Sequence, residues 1–193
     1  KKYEDALYVY AKKGNRLNLQ QKSKLPFSIA YAASYTTAKG IVFAGGENEN
    51  GLSKNVYLFT LNKATVKTES LPELPFAVTN ASITVNGQNV YFAGGEIANG
   101  VSDQLLVLDL NNSTAGWKQV STTPKQVSHA VVLIKEHMLY LIGGRKRNSN
   151  GISDLYNTVF AFDLLTNQWN EKKSLPYALS AGTGAVYKNQ LLL

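Results

Sequence analysis

Three residues of this sequence that could do chemistry recur at a fixed interval. Glu47, Glu96 and Arg145 lie 49 residues apart, each directly after a Gly-Gly pair. The two carboxylates could act as general acid and base, or they could accept hydrogen bonds from turn amides. The arginine could bind a carboxylate through its forked N–H groups, or it could simply be solvated. Their common position indicates that all three occupy the same place in a repeated unit.

Three further polar residues, Tyr31, Asn80 and His129, are candidates for substrate binding. His129 lies between Ser128 and Ala130. An imidazole in such a place could line a channel and titrate near neutral pH. The alternative is a hydrogen-bonded histidine with a structural role. The other histidine of the chain lies in a polar turn and is expected at the surface.

The residue types argue against a metal site or a bound cofactor. The chain has two histidines and no cysteine, and no close spacing of His, Asp and Glu supplies a set of transition-metal ligands. No glycine-rich phosphate loop follows a strand and opens a helix. We therefore expect no metal and no cofactor.

The overall composition is that of a globular protein. Hydrophobic residues make up 44% of the 193 residues, more than a disordered chain contains. Much of the net charge of +7 lies in residues 1–24. Because no basic helix or RNA-binding signature accompanies it, a solvated surface is favoured over a nucleic-acid site. No apolar stretch approaches the roughly 18 residues of a membrane span, so we expect neither a nucleic-acid partner nor a membrane span.

Two sequence markers repeat in register along the chain. Gly-Gly pairs recur every 49 residues, and a proline precedes the first glycine of each pair by 19 residues. The pairs are Gly45-Gly46, Gly94-Gly95 and Gly143-Gly144, and the prolines occur in Leu25-Pro26, Leu74-Pro75, Thr123-Pro124 and Leu175-Pro176. A period near fifty residues predicts a repeat architecture.

The hydrophobic pattern predicts four short strands in each repeat. First strands are expected at 29–35, 78–85, 127–134 and 179–187, second strands at 41–44, 90–93 and 139–142, and third strands at 56–61, 105–110 and 159–164. A fourth strand carries Trp117 or Trp169. The second strands are continuously apolar, which indicates sheets buried on both faces. Four-stranded antiparallel blades stacked around an axis, an all-β β-propeller, fit this pattern.

The strand count predicts an incomplete ring. Residues 1–24 are expected to form an outer half-blade, residues 26–74, 75–123 and 124–175 three full repeats, and residues 176–193 an inner half-blade. The next glycine pair would begin at position 195, beyond Leu193. Propellers usually have four to eight blades, and we expect six in the full protein.

One face of the propeller is expected to hold any functional site. In antiparallel sheets the start of one strand lies beside the end of the next, so the loops before the first strands and after the second strands share a face. The loops at 47–55, 96–104 and 145–158 would meet there with the six candidate residues. The third of these loops is the longest, which favours a role as a lid or binding loop.

The repeats resemble kelch repeats. The shared features are a Gly-Gly pair after an apolar strand, an aromatic residue on the next strand and a later tryptophan, and they extend over essentially the whole chain. The first full repeat departs from this pattern because Val66 lies near the tryptophan position. This resemblance implies a kelch-type β-propeller.

Within kelch proteins, the sequence is similar to the bacterial sialic-acid mutarotases, also called N-acetylneuraminate epimerases, including a cyclically permuted branch. The similar residues are Asn148-Ser149-Asn150-Gly151, Asn157, the run 163–169, Leu175-Pro176, Ala181-Gly182, and Gly45-Gly46-Glu47 through Gly51. The resemblance implies an acidic-sugar substrate, acid/base ring opening that exchanges the anomers, and a periplasmic or otherwise exported protein.

The catalytic pair of that family does not transfer to the visible repeats. The family places an arginine six residues after a Gly-Glu, whereas Ser53 follows Glu47 and Ser102 follows Glu96 at that distance. We expect the pair beyond Leu193, with the two glutamates as secondary candidates and Arg145 as a ligand of the sugar carboxylate. The alternative is a non-catalytic kelch propeller that binds a protein or glycan through its loop face, since propellers host both functions.

Overall fold

The structure, a computed structural model, describes residues 3–25, 27–62 and 65–193. Lys1 and Lys2 of the basic segment lie outside these ranges. So does Pro26, which marks the predicted start of the first full repeat. The first described strands form a two-stranded antiparallel sheet, β1 (Ala6–Lys13) with β2 (Arg16–Lys24).

Three four-stranded sheets follow, one in each repeat. The first blade contains β3 (Ala33–Thr37), β4 (Gly40–Ala44), β5 (Glu47–Asn48), β6 (Gly51–Leu52), β7 (Val56–Asn62) and β8 (Thr65–Leu71). The second contains β9 (Ser82–Asn86), β10 (Asn89–Ala93), β11 (Glu96–Ile97), β12 (Gly100–Val101), β13 (Gln104–Asp109) and β14 (Lys118–Thr122). The third contains β15 (Val131–Lys135), β16 (Met138–Ile142), β17 (Arg145–Arg147), β18 (Ser153–Leu155), β19 (Val159–Asp163) and β20 (Gln168–Lys172).

Each blade has the same antiparallel strand order. The orders are β3-β4-β7-β8, β9-β10-β13-β14 and β15-β16-β19-β20. The short pairs β5–β6, β11–β12 and β17–β18 form separate hairpins in the loops after the second strands. A last two-stranded sheet joins β21 (Ala185–Tyr187) to β22 (Gln190–Leu192). The innermost strands β3, β9, β15 and β21 contact one another in sequence order, which confirms the β-propeller with four-stranded antiparallel blades.

The blades are held together by apolar cores between their faces. On β10 the side chains of Val90 and Phe92 enter the core shared with the first blade, whereas Tyr91 and Ala93 enter the core shared with the third. All four are buried. The prediction that a continuously apolar second strand is covered on both sides is therefore confirmed for β10, whereas on β4 Ile41 is 43% exposed.

The two tryptophans form hydrogen bonds from the second and third blades to the blade before each of them. Trp117 donates its indole N–H to the carbonyl of Pro72 at 2.9 Å, and Trp169 donates to the Ser121 hydroxyl at 3.0 Å. The expectation that Trp117 lies on the fourth strand is wrong by one residue, because β14 begins at Lys118. A turn of 3₁₀ helix spans Ser113–Ala115, between β13 and β14.

The Gly-Gly pairs lie where neighbouring blades approach most closely. Gly94 has φ +65°, and a Cβ at this position would overlap the carbonyl oxygen of Val127 in the next blade. The N–H of Gly95 donates to that same carbonyl at 2.9 Å. Glycine is required here for both its left-handed backbone and its missing side chain.

The innermost strands begin later than predicted. The predicted starts at 29, 78 and 127 are four residues too early, and the start at 179 is six residues too early. The physical reason is a residue with positive φ just before each strand, which turns the chain out of the extended conformation. These residues are Tyr31, Asn80, His129 and Ala181. The candidates Tyr31, Asn80 and His129 therefore precede the inner strands, and the placement of His129 on a strand is wrong.

Candidate functional site

The loops before the first strands and after the second strands do share one face. Isolated antiparallel bridges join Ala30 to Glu47, Thr79 to Glu96 and Ser128 to Arg145. In each blade the residue after Gly-Gly thus pairs with the residue before the left-handed turn. This pairing brings Glu96 and Arg145 beside the starts of the inner strands, where their side chains can meet those of the next blade.

The left-handed residues are linked from blade to blade by their main chains. Asn80 N–H donates to the Tyr31 carbonyl at 3.1 Å, His129 N–H to the Asn80 carbonyl at 2.9 Å, and Ala181 N–H to the His129 carbonyl at 2.9 Å. We call these four residues the main-chain belt. Because these hydrogen bonds hold the backbone of the belt, they also fix the position of the His129 Cα atom.

Glu96, Ser128, His129 and Arg145 form a polar cluster across the second and third blades. Arg145 Nη2 donates to Glu96 Oε1 at 3.2 Å, and the Ser128 hydroxyl also lies 3.2 Å from that oxygen. His129 Nδ1 is 3.0 Å from Ser128 Oγ, and its Nε2 is 3.5 Å from Arg145 Nη2. The side chains of Glu96 and His129 are only 20% and 17% exposed, so the cluster is largely shielded from water.

The hydrogen-bond network favours one tautomer of His129. If Ser128 donates to Glu96, its oxygen is left to accept the Nδ1 proton of the imidazole. The Nε2 atom then keeps its lone pair and is the basic atom of the ring. This arrangement relays hydrogen bonds from His129 through Ser128 to the Glu96 carboxylate.

The surroundings of His129 lower its pKa. Burial is the largest cause, and the nearby Arg145 guanidinium acts in the same direction, whereas the Glu96 carboxylate opposes both. His129 Nδ1 lies 3.7 Å from Glu96 Oε1, but the lowered pKa keeps the ring neutral at neutral pH, so this contact is not an ion pair there. A neutral imidazole at the loop face can accept a proton.

The structure corrects the interpretation of Arg145 as a simply solvated loop residue. Its side chain is 34% exposed and bound to Glu96. Its Nε atom is buried and has no hydrogen-bond partner within residues 3–25, 27–62 and 65–193. A buried donor without a partner is costly.

The remaining candidates lie outside this cluster. Glu47 Oε1 accepts a hydrogen bond from the Tyr3 hydroxyl at 3.1 Å. Tyr31 is 58% exposed at the channel mouth, and Asn80 enters the belt through its backbone. Ser102, at the position where the mutarotase pattern has arginine, is 6% exposed and its N–H donates to the Gly95 carbonyl. The backbone at this position closes the loop, and the serine side chain is buried.

Two cavities adjoin the loop face and the channel. One, of about 370 Å³, lies among the innermost strands, and its lining includes both small residues such as Ala32 and Gly184 and larger ones such as Tyr35 and Leu133. The other, of about 390 Å³, lies between the loops of the second and third blades. We call the second the loop pocket; it is lined by Glu96, Ile97, Ala98, Asn99, Gly100, Arg147, Asn148 and Ser149. Glu96 belongs to both this pocket and the polar cluster.

No metal site is evident in the part of the chain that the structure describes. Groups of three or more His, Cys, Asp or Glu side chains that could hold an ion do not occur there. Over the same residues, no helix is long and apolar enough to cross a membrane.

The sequence matches a model of repeated β-propeller units over its whole length. The family description is the KLHDC2/KLHL20/DRC7 Kelch-repeats domain, and the match covers residues 1–193. The chain belongs to the kelch-repeat family. No curated protein gives a significant match to this kelch chain.

Among solved structures, the kelch chain is similar to the structure of YjhT. The TM-score is 0.78 at 16% sequence identity, and the alignment covers 97% of this chain and 64% of that one. The kelch chain thus spans less than two thirds of the length of the YjhT chain. At this identity the likeness shows the propeller fold.

The sequence pattern predicted Glu96, His129 and Arg145 as site residues but not the contacts between them. Glu96 and Arg145 were candidates for separate roles, yet they form an ion pair between neighbouring blades. Their identical position in successive repeats placed both on the same face but did not predict this contact. Ser128 was missed as a functional residue, and only its position next to His129 pointed to it.

Proposed function

We propose that this kelch propeller is a mutarotase that interconverts the anomers of an acidic sugar such as N-acetylneuraminate. The observation that carries the proposal is the position of the His129 imidazole against Ser128, Glu96 and Arg145 at the loop face. The resemblance of residues 148–151 and 163–169 to the sialic-acid mutarotases supports the same substrate class. A periplasmic or otherwise exported location belongs to the proposal, and fractionation of the source cells tests it.

The proposed reaction needs one proton to move between two oxygens of the sugar. His129 Nε2 accepts the proton of the anomeric hydroxyl, and it then delivers that proton to the ring oxygen as the bond from this oxygen to the anomeric carbon breaks. Both oxygens are bonded to the same carbon, so one nitrogen can reach each of them. The open chain has a carbonyl at the anomeric carbon, and closure on its other face by the reverse steps gives the second anomer.

The other members of the cluster assist this transfer. While the proton is on the imidazole, the Glu96 carboxylate stabilises the imidazolium through Ser128. Arg145 donates hydrogen bonds to the sugar carboxylate, which is attached to the anomeric carbon in this class of sugars and therefore lies close to His129. Charge-assisted hydrogen bonds of this kind hold the reacting carbon in place.

The test is a measurement of anomer exchange. The protein is mixed with α-N-acetylneuraminate freshly released from an α-glycoside, and the two anomers are followed by proton NMR. We expect exchange faster than in buffer and a fall of about 10²-fold or more in the His129→Asn variant, because general acid–base catalysis contributes this much. Asparagine is a suitable replacement because Asn80 has the same left-handed conformation in the preceding blade.

A matched pair of glutamate variants separates a chemical from a structural effect. Glu96→Gln should slow exchange, whereas Glu47→Gln, at the same position of the preceding repeat, should not. An exchange rate equal to that of buffer would overturn the mutarotase proposal. Saturable sugar or protein binding without exchange would then identify a non-catalytic binding propeller. If exchange is fast but unaffected in His129→Asn, the proton is transferred elsewhere.

A further inference from the structure

The loop pocket is continuous with the polar cluster. Glu96 forms one wall of the pocket and also binds Arg145. Arg145 and Arg147 are two residues apart on β17, so their side chains leave the same side of the strand. Their Cα atoms are roughly 7 Å apart, as for any two residues at this spacing on a strand. A sugar with its anomeric carbon at His129 can therefore extend past Glu96 into the pocket.

The pocket combines amide and hydroxyl groups with an apolar surface of similar extent. Asn99, Asn148 and Ser149 supply neutral hydrogen-bonding groups, and Ile97 supplies apolar contact. Ile97 also packs against the core between the first two blades, which fixes this part of the wall. Arg147 forms no ion pair with the carboxylates of the described residues. Such a lining suits a polyhydroxylated chain and an N-acyl group, with an amide to bind and a methyl group to cover.

The backbone of Asn148 is already committed to the loop. Its N–H donates to the Ile152 carbonyl at 2.8 Å, and its carbonyl accepts the Gly151 N–H at 3.0 Å. The loop conformation therefore does not depend on the Asn148 side chain. This side chain can be removed to test the pocket while the main-chain contacts of the loop remain.

We propose that the loop pocket is a specificity site for the N-acylated, polyhydroxylated end of the acidic sugar. This inference rests on the proposed function, since it takes the substrate class from it. The polar cluster would bind the carboxylate and the anomeric carbon, which all such sugars share, and Arg147 and Asn148 would recognise the part in which they differ. The pocket thus selects the N-acylated sugar among related keto-acid sugars.

The experiment compares the binding of two probes by isothermal titration calorimetry. N-acetylneuraminate has the N-acyl group and the long hydroxylated side chain, whereas ketodeoxyoctonate shares the acidic anomeric end but lacks the N-acyl group. We expect the wild-type protein to bind N-acetylneuraminate at least about tenfold more tightly. Asn148→Ala and Arg147→Ala should each weaken this binding about three- to tenfold, as expected for a lost hydrogen bond. Binding of ketodeoxyoctonate should change less than about twofold.

Lys146→Ala is the matched control. Lys146 lies between the two arginines on β17, points to the other side of the strand and does not line the pocket. Its replacement should leave both dissociation constants unchanged. Equal affinity of the wild type for the two sugars, or no binding of either, overturns the inference. The inference is also overturned if Asn148→Ala binds both sugars as tightly as the wild type, or if it loses the same affinity for both.

The same variants separate this inference from the proposed function. If the wild type catalyses anomer exchange but Asn148→Ala binds both sugars as the wild type does, the specificity site is refuted and the mutarotase proposal stands. A preserved binding preference without anomer exchange refutes the mutarotase and leaves the pocket as a glycan-binding site.

Discussion

Replacing Gly94 by alanine should weaken the contact between the second and third blades and lower the stability of the protein. Gly94 has φ +65°, a conformation that costs an alanine about 1–2 kcal/mol. Its added methyl group would also overlap the Val127 carbonyl oxygen. That oxygen belongs to the main chain and accepts the Gly95 N–H, so it has no side-chain rotation by which to avoid the clash.

The expected cost follows from these two contributions. Overpacking against a fixed group typically costs about 1–3 kcal/mol, and weakening the hydrogen bond from Gly95 to Val127 adds about 1 kcal/mol. Together with the backbone strain, and after allowing about 0.4–1 kcal/mol for the lower entropy of the unfolded alanine chain, Gly94→Ala should lower the free energy of unfolding by about 2–6 kcal/mol. This is a large fraction of the stability of a typical domain.

Gly87→Ala is the control that isolates the contact between blades. Gly87 has a similar φ of +59°, but a Cβ there meets nothing within 4 Å. Only backbone strain should remain, so this variant should lose about 1 kcal/mol. Urea unfolding followed by the fluorescence of Trp117 and Trp169 measures both values. If Gly94→Ala loses no more stability than Gly87→Ala, the glycine pairs are not needed for blade packing and the reasoning is refuted.

Two further predictions concern the contacts between blades and the polar cluster. Trp117→Phe should lower the free energy of unfolding by about 1–2 kcal/mol, because the Pro72 carbonyl loses its donor. Trp169→Phe should lower it less, since the Ser121 hydroxyl can turn to another partner. A larger loss in Trp169→Phe than in Trp117→Phe, measured by urea unfolding, would contradict this. Because the pKa of His129 is lowered from 6.5, the unfolded state binds more protons below about pH 6.5, so the free energy of unfolding should fall as the pH is lowered from about 7.5 to 5. The difference between wild type and His129→Asn should show this fall, and a difference independent of pH would contradict the assigned shift.

The sequence predicted the repeated part of the fold well because its signals are local. The second strands, such as 90–93 within β10, are continuous apolar runs that end at a glycine pair, and burial on both faces leaves few alternatives. The starts of the inner strands were misplaced because the left-handed turn is made by different residue types. Asn80 and His129 are residue types enriched in this conformation, whereas Tyr31 and Ala181 are not.

The site was predictable in its members but not in its contacts. Repeat positions selected Glu96 and Arg145, and proximity to a strand selected His129. Their meeting depends on the angle between two blades, which no local pattern in the sequence encodes. The lowered pKa of His129 likewise arises from its burial and from the nearby Arg145 guanidinium, and both depend on tertiary packing.

At the mouth of the channel, side chains can change without loss of the hydrogen bonds that join the blades there. The links between Tyr31, Asn80, His129 and Ala181 run from amide to carbonyl and use no side-chain atom. Substitutions at these four places can therefore alter what the opening recognises while the connections between the sheets persist, provided that the new residue tolerates a positive φ. One scaffold of this kind can acquire new ligands by single exchanges around its rim.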